Sequence, residues 1–164
     1  SQPSHMATLL VQSCSKSKNE FESKVRAINL YSGYFFKIIK KAIREGKFRS
    51  DIDICILSAE HGLIGADAKI EWYDRRMDRQ RAEELAADVT NELHKRVVGD
   101  YNRVIVNVGK VYKHALKEGL STLDVDIHHV QGGGIGVKGS NLKDLIRGGT
   151  ETDSPQTNKA TESL

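Results

Sequence analysis

The apolar positions of this chain gather into four short runs, separated by longer stretches that are apolar on one side only. The runs are Thr8–Gln12, Ile52–Leu57, Arg103–Val108 and Val125–Val130. Continuous apolar runs of this length suit strands covered on both faces. Between them the spacing turns helical. Phe35, Ile38, Ile39, Ala42 and Ile43 recur on one side of Gly33–Glu45, and Gly46 supplies a stop. Lys24–Asn29 is expected to open a helix just before it. Leu85, Ala86, Val89, Leu93 and Val97 form one stripe along Met77–Val98, whose other side is charged. Gly109–Lys117 predicts a third helix. Asn141–Ile146, capped by Ser140, predicts the last. Gly65–Arg76 is irregular and polar, with Asp74 placed as a helix N-cap, and Gly62–Gly65 is expected to be a turn that returns the chain.

Strand and helix alternate, which predicts a parallel sheet with helices on both faces. The expected fold is α/β: a three-layer α/β/α sandwich with a four-stranded parallel sheet in the order 2-1-3-4. Its switch point falls between the first and third strands. In such sheets ligands bind beyond the carboxyl ends of the strands.

Composition trims the domain and narrows the partners. Of the 164 residues, 1–5 precede Met6 and read as a tag remnant. Residues 148–164 are nearly devoid of apolar side chains and are expected to be a disordered tail. That leaves 6–147 as a single domain. The net charge of +3 and pI of 8.8 permit a nucleic-acid partner without requiring one, since a pI above about 9 is the usual footprint. Cys14 and Cys55 are the only cysteines, too few for a disulfide framework. With no secretory apolar segment, this composition predicts a cytoplasmic protein. No apolar stretch approaches the ~20 residues of a membrane span, so no membrane partner is expected.

Polar residues stand where the first two strands should simply end. After Leu9-Leu10-Val11 come Gln12, Ser13, Cys14, Ser15, Lys16, Ser17 and Lys18. Hydroxyls, backbone N–H groups and two ammonium groups can together hold an anion. The glycine framework of a Walker loop is missing. The plainer reading is a solvated loop, with Cys14 a small buried side chain. The second strand runs into Ser58, Ala59, Glu60 and His61. A carboxylate there can act as a base or stabilise a cation, and an imidazole can donate to a departing anion. Equally, His61 can cap a turn while Glu60 pairs with an arginine.

Three further features carry candidate chemistry. In Glu71-Trp72-Tyr73-Asp74-Arg75-Arg76, aromatic rings can stack on a base and arginines can pair with phosphate. The plain alternative is a surface loop held down by its aromatics. Asn107-Val108-Gly109 ends the third strand: Asn107 can read a base edge, and Gly109 lets the backbone come close to a ligand. Tyr112 follows. Gly134, Gly136 and Gly139 spell GxGxxG, but no later strand completes a βαβ unit and no acidic residue follows at the required ~20 positions. A flexible loop contacting phosphate fits better than a dinucleotide site. No HExxH, paired CxxC or Cys/His cluster is present, so neither a metal nor a cofactor is expected. Lys37, Lys40, Lys41, Arg44 and Lys47 give one helix a basic face, either a phosphate contact or a solvated surface.

Taken in order, Ser13–Lys18, Leu30-Tyr31-Ser32, Leu57–Leu63, Tyr73-Asp74, Gly109-x-x-Tyr112 and the final glycine-rich turn resemble an uncharacterised domain family found in bacteria, archaea and phages. That family resembles, more distantly, the peroxide-stress protein family and a domain of archaeosine synthase. Both resemblances imply the uracil-DNA glycosylase-like fold and a site at the carboxyl edge of its sheet. The chain departs from the uracil-removing enzymes at two places. Gln12-Ser13-Cys14-Ser15 stands where they carry an Asp motif, and Gly132–Gly139 stands in place of a His-Pro-Ser-type loop.

The resemblance implies an N-glycosidase acting on a modified or unusual nucleobase in DNA, or on a nucleotide, in repair, modification or phage defence. Glu60 or Asp74 would stabilise the sugar cation, and His61 or Asn107 would bond the leaving base. Tyr31 or Tyr73 would stack on the base. Ser13, Ser15, Lys16 and Lys18 would hold a phosphate, and Gly134 and Gly136 would follow the backbone. Gln12, Cys14, Ser58, Gly109 and Tyr112 complete the expected binding residues. Two alternatives stand beside this one: a non-catalytic DNA-binding module, and a transferase in 7-deazaguanine modification of nucleic acid.

Overall fold

A strand buried on both faces belongs in the middle of a sheet, and the run from Thr8 to Ser13 is buried throughout. The computed structural model describes residues 7–20 and 22–147; the expected tag remnant and tail lie outside them. In chain order the elements are β1 (Ala7–Ser13), β2 (Val25–Arg26), α1 (Ala27–Leu30), α2 (Tyr34–Arg44), β3 (Ile52–Ser58), β4 (Gly62–Gly65), β5 (Lys69–Ile70), α3 (Arg79–Val97), β6 (Tyr101–Asn107), α4 (Lys113–Ser121), β7 (Asp126–His129) and α5 (Ile135–Arg147). None of the described helices is long and apolar enough to cross a membrane.

The main sheet has five strands in the order β4-β3-β1-β6-β7, one more than expected. The four parallel strands keep the expected order, with β1 between β3 and β6. The extra strand is the segment expected to be a turn. Gly62–Gly65 runs back antiparallel along β3, with Leu63 opposite Leu57. Its first residue, Gly62, has φ +77, a conformation that L side chains rarely adopt. A second, two-stranded sheet pairs β2 with β5, so neither Lys24–Asn29 nor Gly65–Arg76 is as simple as its pattern suggested.

Alternation along the strands divides the core into two layers. Leu10, Ile56 and Ile105 pack on one face with Leu30 of α1, Phe36, Ile39 and Ala42 of α2, and Leu142 and Ile146 of α5. Leu9, Val11, Cys55, Leu57, Val104 and Val106 pack on the other with Leu85, Val89 and Leu93 of α3 and Leu116 of α4. The result is a mixed α/β fold whose mostly parallel sheet lies between helices.

Helix ends differ from their sequence expectations for local reasons. Asp78, not Asp74, caps α3: its carboxylate accepts from the Arg81 N–H at 2.7 Å. Helix α4 begins at Lys113 rather than Gly109. Helix α5 begins at Ile135, so Ser140 lies inside it and caps nothing. Its glycines weaken its helix propensity by about 1 kcal/mol each. Buried Leu142 and Ile146 offset that, and Gly139 admits the Tyr34 ring, which would lie 2.5 Å from an added Cβ.

Helices α3 and α4 pack closely at Gly119, where an added Cβ would lie 3.1 Å from Leu93 Cδ2 and 3.3 Å from the Thr90 Cα. The backbone atom cannot rotate away. A Gly119→Val variant should therefore lose about 1–3 kcal/mol, measured by denaturant unfolding. A variant as stable as the parent would mean that the helices are not held at this spacing.

Candidate functional site

The register of the three central strands determines which polar side chains meet. Gln12 lies opposite both Ile56 of β3 and Asn107 of β6, and Ser13 lies opposite Leu57. Gln12, Asn107 and Ser58 are thus carried to the same end of the sheet. They share the parity of the α2/α5 face, whereas Ser13 has the opposite parity. Asn107 Nδ2 donates to Gln12 Oε1 at 2.9 Å, and both residues are about 1% exposed. Ser13 Oγ accepts from the Gly109 N–H at 3.3 Å, closing the β1 and β6 ends together. Asn107 and Gln12 therefore form the floor beneath the strand ends rather than a surface open to a ligand. Asn107 Oδ1 is buried without a hydrogen-bond partner.

Above the β3 end the side chains are organised by hydroxyls. Ser58, fully buried, accepts from the N–H groups of Glu60 at 3.1 Å and His61 at 3.0 Å. This fixes the tight turn into β4. Arg81 of α3 secures the same turn from outside, donating to the carbonyls of Ala59 at 2.7 Å and Glu60 at 2.9 Å. Ser58 Oγ also lies 3.0 Å from the Tyr73 hydroxyl, which lies 2.7 Å from that of Tyr31. Tyr73 thus ties the irregular segment before α3 to the strand edge. The His61 ring stands edge-on to Tyr73 with centroids 5.6 Å apart, and Lys18 Nζ lies 4.8 Å from the Tyr73 centroid.

Burial determines what these phenols can do. It pushes the Tyr31 hydroxyl up to about 12, and it also raises Tyr73 and Tyr112. All three stay protonated at neutral pH and serve as hydrogen-bonding groups, not bases. Tyr31 is fully buried against Phe36, with centroids 5.1 Å apart, so its ring is not open for stacking on a base. Cys14 Sγ lies 3.1 Å from the Tyr112 hydroxyl. Cys55 packs on the other face of the sheet, away from the site, and burial raises its thiol to about 12.

Next to this network lies an open cavity of about 300 Å³. Cys14, Ser15, Lys16 and Lys18 form one wall, Asp74, Arg75, Arg76 and Met77 another, and Tyr112 closes it. Four cationic side chains and one carboxylate thus line it; Asp74 makes no ion pair among the described residues, whereas Arg75 reaches Glu84 at 3.9 Å. Glu60 does not line the cavity. Its carboxylate pairs with Arg75 at 3.4 Å, an exposed contact worth at most about 1 kcal/mol. His61 is exposed beyond the rim. Of the glycine loop, Gly136 lines a separate groove between α2 and α5, and Gly134 lines neither space.

The segments singled out in the sequence are therefore divided. The first-strand loop, Asp74 and Tyr112 converge; Glu60 acts on that cavity only through Arg75; Gln12 and Asn107 lie below it; the glycines lie elsewhere. Sequence reasoning missed Met77 in the wall and Arg81 behind the turn. The Arg75-Arg76 pair was a visible signal, but Arg81 sits in a helix with no mark to distinguish it. Among the described residues no three His, Cys, Asp or Glu side chains are grouped as a metal ion would need.

A family model described as a family of unknown function, DUF6884, matches residues 9–144, and the chain belongs to that family. No curated protein matches. Among solved structures the chain is similar to AF0587, described as a protein of unknown function, with a TM-score of 0.52 at 11% identity. The likeness covers 93% of this chain and 46% of that one, so this chain spans about half its length. At that identity the likeness concerns the fold alone.

Two measurements test the hydroxyl network. Ser58→Ala removes the acceptor for two N–H groups and should cost about 1–3 kcal/mol in denaturant unfolding; an unchanged midpoint would remove Ser58 from this role. Tyr31 ionises in the unfolded chain near 10.0 but in the folded chain only near 12, so its contribution is complete below pH 10 and is lost as pH rises toward 12. Stability should fall through that window, and the fall should be shallower in Tyr31→Phe. Parallel curves would show that Tyr31 ionises as freely in the folded chain.

Proposed function

We propose that this member of a family of unknown function binds a nucleotide, free or extruded from DNA, and hydrolyses its N-glycosidic bond. The observation that carries the proposal is the presence, in one cavity at the strand ends, of four cationic side chains and the carboxylate of Asp74. Lys16, Lys18, Arg75 and Arg76 suit a phosphate. Such a cavity is at the lower limit of the usual size range for small-molecule sites, roughly 300–1,000 Å³. The proposed fold relation is to the uracil-DNA glycosylase-like group, supported by the parallel sheet order and by the placement of the cavity beyond the carboxyl ends of β1 and β6.

In the proposed reaction the C1′–N bond breaks and its electron pair leaves with the base. Asp74 stabilises the cationic sugar and accepts a proton from the water that adds to C1′. That proton then passes from Asp74, through solvent, to the departed base, so the products are the neutral free base and a sugar bearing a hydroxyl, with the carboxylate restored. Tyr112, held by Cys14, is the aromatic edge available to the base. Glu60 holds Arg75 in place and is a positioning residue. A target inside a duplex would have to be flipped out. The two free cysteines suit the reducing cytoplasm in which such a reaction would occur.

A panel of base-modified oligonucleotides and free nucleotides, assayed for released base by mass spectrometry, tests the reading. Release is expected on at least one substrate, with a loss of about 10²-fold or more in Asp74→Asn at unchanged phosphate affinity. Full release by Asp74→Asn would remove Asp74 from the chemistry. Tight, salt-sensitive DNA binding without product would instead favour a non-catalytic module. A mass gain on the nucleic acid would favour a transferase.

A further inference from the structure

A groove of about 310 Å³ runs between α2 and α5, on the same face of the sheet as Gln12 and Asn107. Tyr34 and Lys41 line one side of it, Lys143 and Arg147 the other. Lys37, Lys41 and Arg44 recur at helical spacing along exposed positions of α2, so cations stand on successive turns. Acidic groups barely interrupt them. Helix α2 contains none, α5 contains Asp144, and Glu45 just beyond α2 is held by Arg147 at 2.8 Å. A single phosphate would use one or two of these charges, whereas a row of them suits a repeating polyanion.

The groove joins the cavity through one hydrogen bond. Ser15, in the cavity wall, accepts through Oγ from the Gly33 N–H at 3.1 Å, and the next residue, Tyr34, lines the groove. Tyr34 is 45% exposed, and its ring rests on the bare backbone of Gly139. An aromatic ring is thus fixed at the junction of two cationic surfaces, as stacking on a neighbouring base requires.

We infer that the α2/α5 groove carries the phosphates flanking a nucleotide held in the cavity, so that the substrate is a nucleic-acid strand rather than a free nucleotide. This rests on the proposed function for the nucleotide in the cavity. The groove adds a surface which that reading does not use.

The test compares the full chain with a Lys41→Ala/Lys143→Ala variant. The probes are a fluorescent single-stranded oligonucleotide, a nucleoside monophosphate and phosphatidylserine vesicles. The variant should bind the oligonucleotide at least ~10-fold more weakly, with a log affinity against log salt slope shallower by about 1.4, two phosphates at ~0.7 each. Its affinity for the monophosphate and its melting temperature should be unchanged. Equal oligonucleotide affinity in parent and variant overturns the inference. So does loss of vesicle binding alone, which would make the groove a membrane surface. Lysine-dependent oligonucleotide binding without base release on any substrate supports the groove and overturns the chemistry proposed for the cavity. Base release with lysine-independent oligonucleotide binding does the reverse.

Discussion

Strand β1 is hydrogen-bonded in parallel on both edges, and the arrangement of the strand ends depends on those two registers. A slip of one residue would turn Leu10 and Gln12 toward the α3/α4 layer and bring Leu9, Val11 and Ser13 to the other. The two layers bury different side-chain sets, so each slipped register would expose or misplace apolar groups at about 1.5–3 kcal/mol per fully buried side chain. Hydrophobic burial along the lower strand thereby positions polar groups at the upper end. The Gln12–Asn107 bond, the Ser13–Gly109 bond and the start of the cavity loop at Cys14 all follow from it.

On this rigid floor the cavity is assembled by segments that have little regular structure. Ser58 orders the β3–β4 turn, and Tyr73 links that edge to the segment bearing Asp74, Arg75 and Arg76. Exposed ion pairs contribute little to such an arrangement. Buried hydroxyls contribute more, because each would be costly to leave unpaired. Their burial keeps them protonated, which assigns positioning to the tyrosines, while Asp74 is the carboxylate that lines the cavity.

The parallel strands were legible because Leu9–Val11, Ile54–Leu57 and Val104–Val106 are apolar runs too short and too continuous for helices facing water. Their parallel direction was legible from the alternation with helices, which by itself does not fix their order. Strand β4 was not legible, since Leu63-Ile64 between two glycines looks the same as a turn until Leu57 and Ile56 are seen opposite. The start of α5 was hidden by glycines that the packing with Tyr34 tolerates. At the site, strand-end logic singled out Ser13–Lys18, of which Cys14, Ser15, Lys16 and Lys18 line the cavity, whereas Asp74 lies between β5 and α3 and was named as a candidate only through the family resemblance. The depth of Asn107 and the burial of Tyr31 could not, because a side chain's exposure depends on what other elements cover it.

The central claim is that the cavity between the β1 loop and Asp74–Arg76 holds a phosphate-bearing nucleoside. The most direct measurement is a nuclear magnetic resonance titration of the isotope-labelled chain with a nucleoside monophosphate. Saturable shifts are expected at the amides of Ser15, Lys16, Lys18, Asp74, Arg75, Arg76 and Tyr112, with β7 unmoved. Shifts confined to other surfaces, or none at saturating ligand, would contradict the claim.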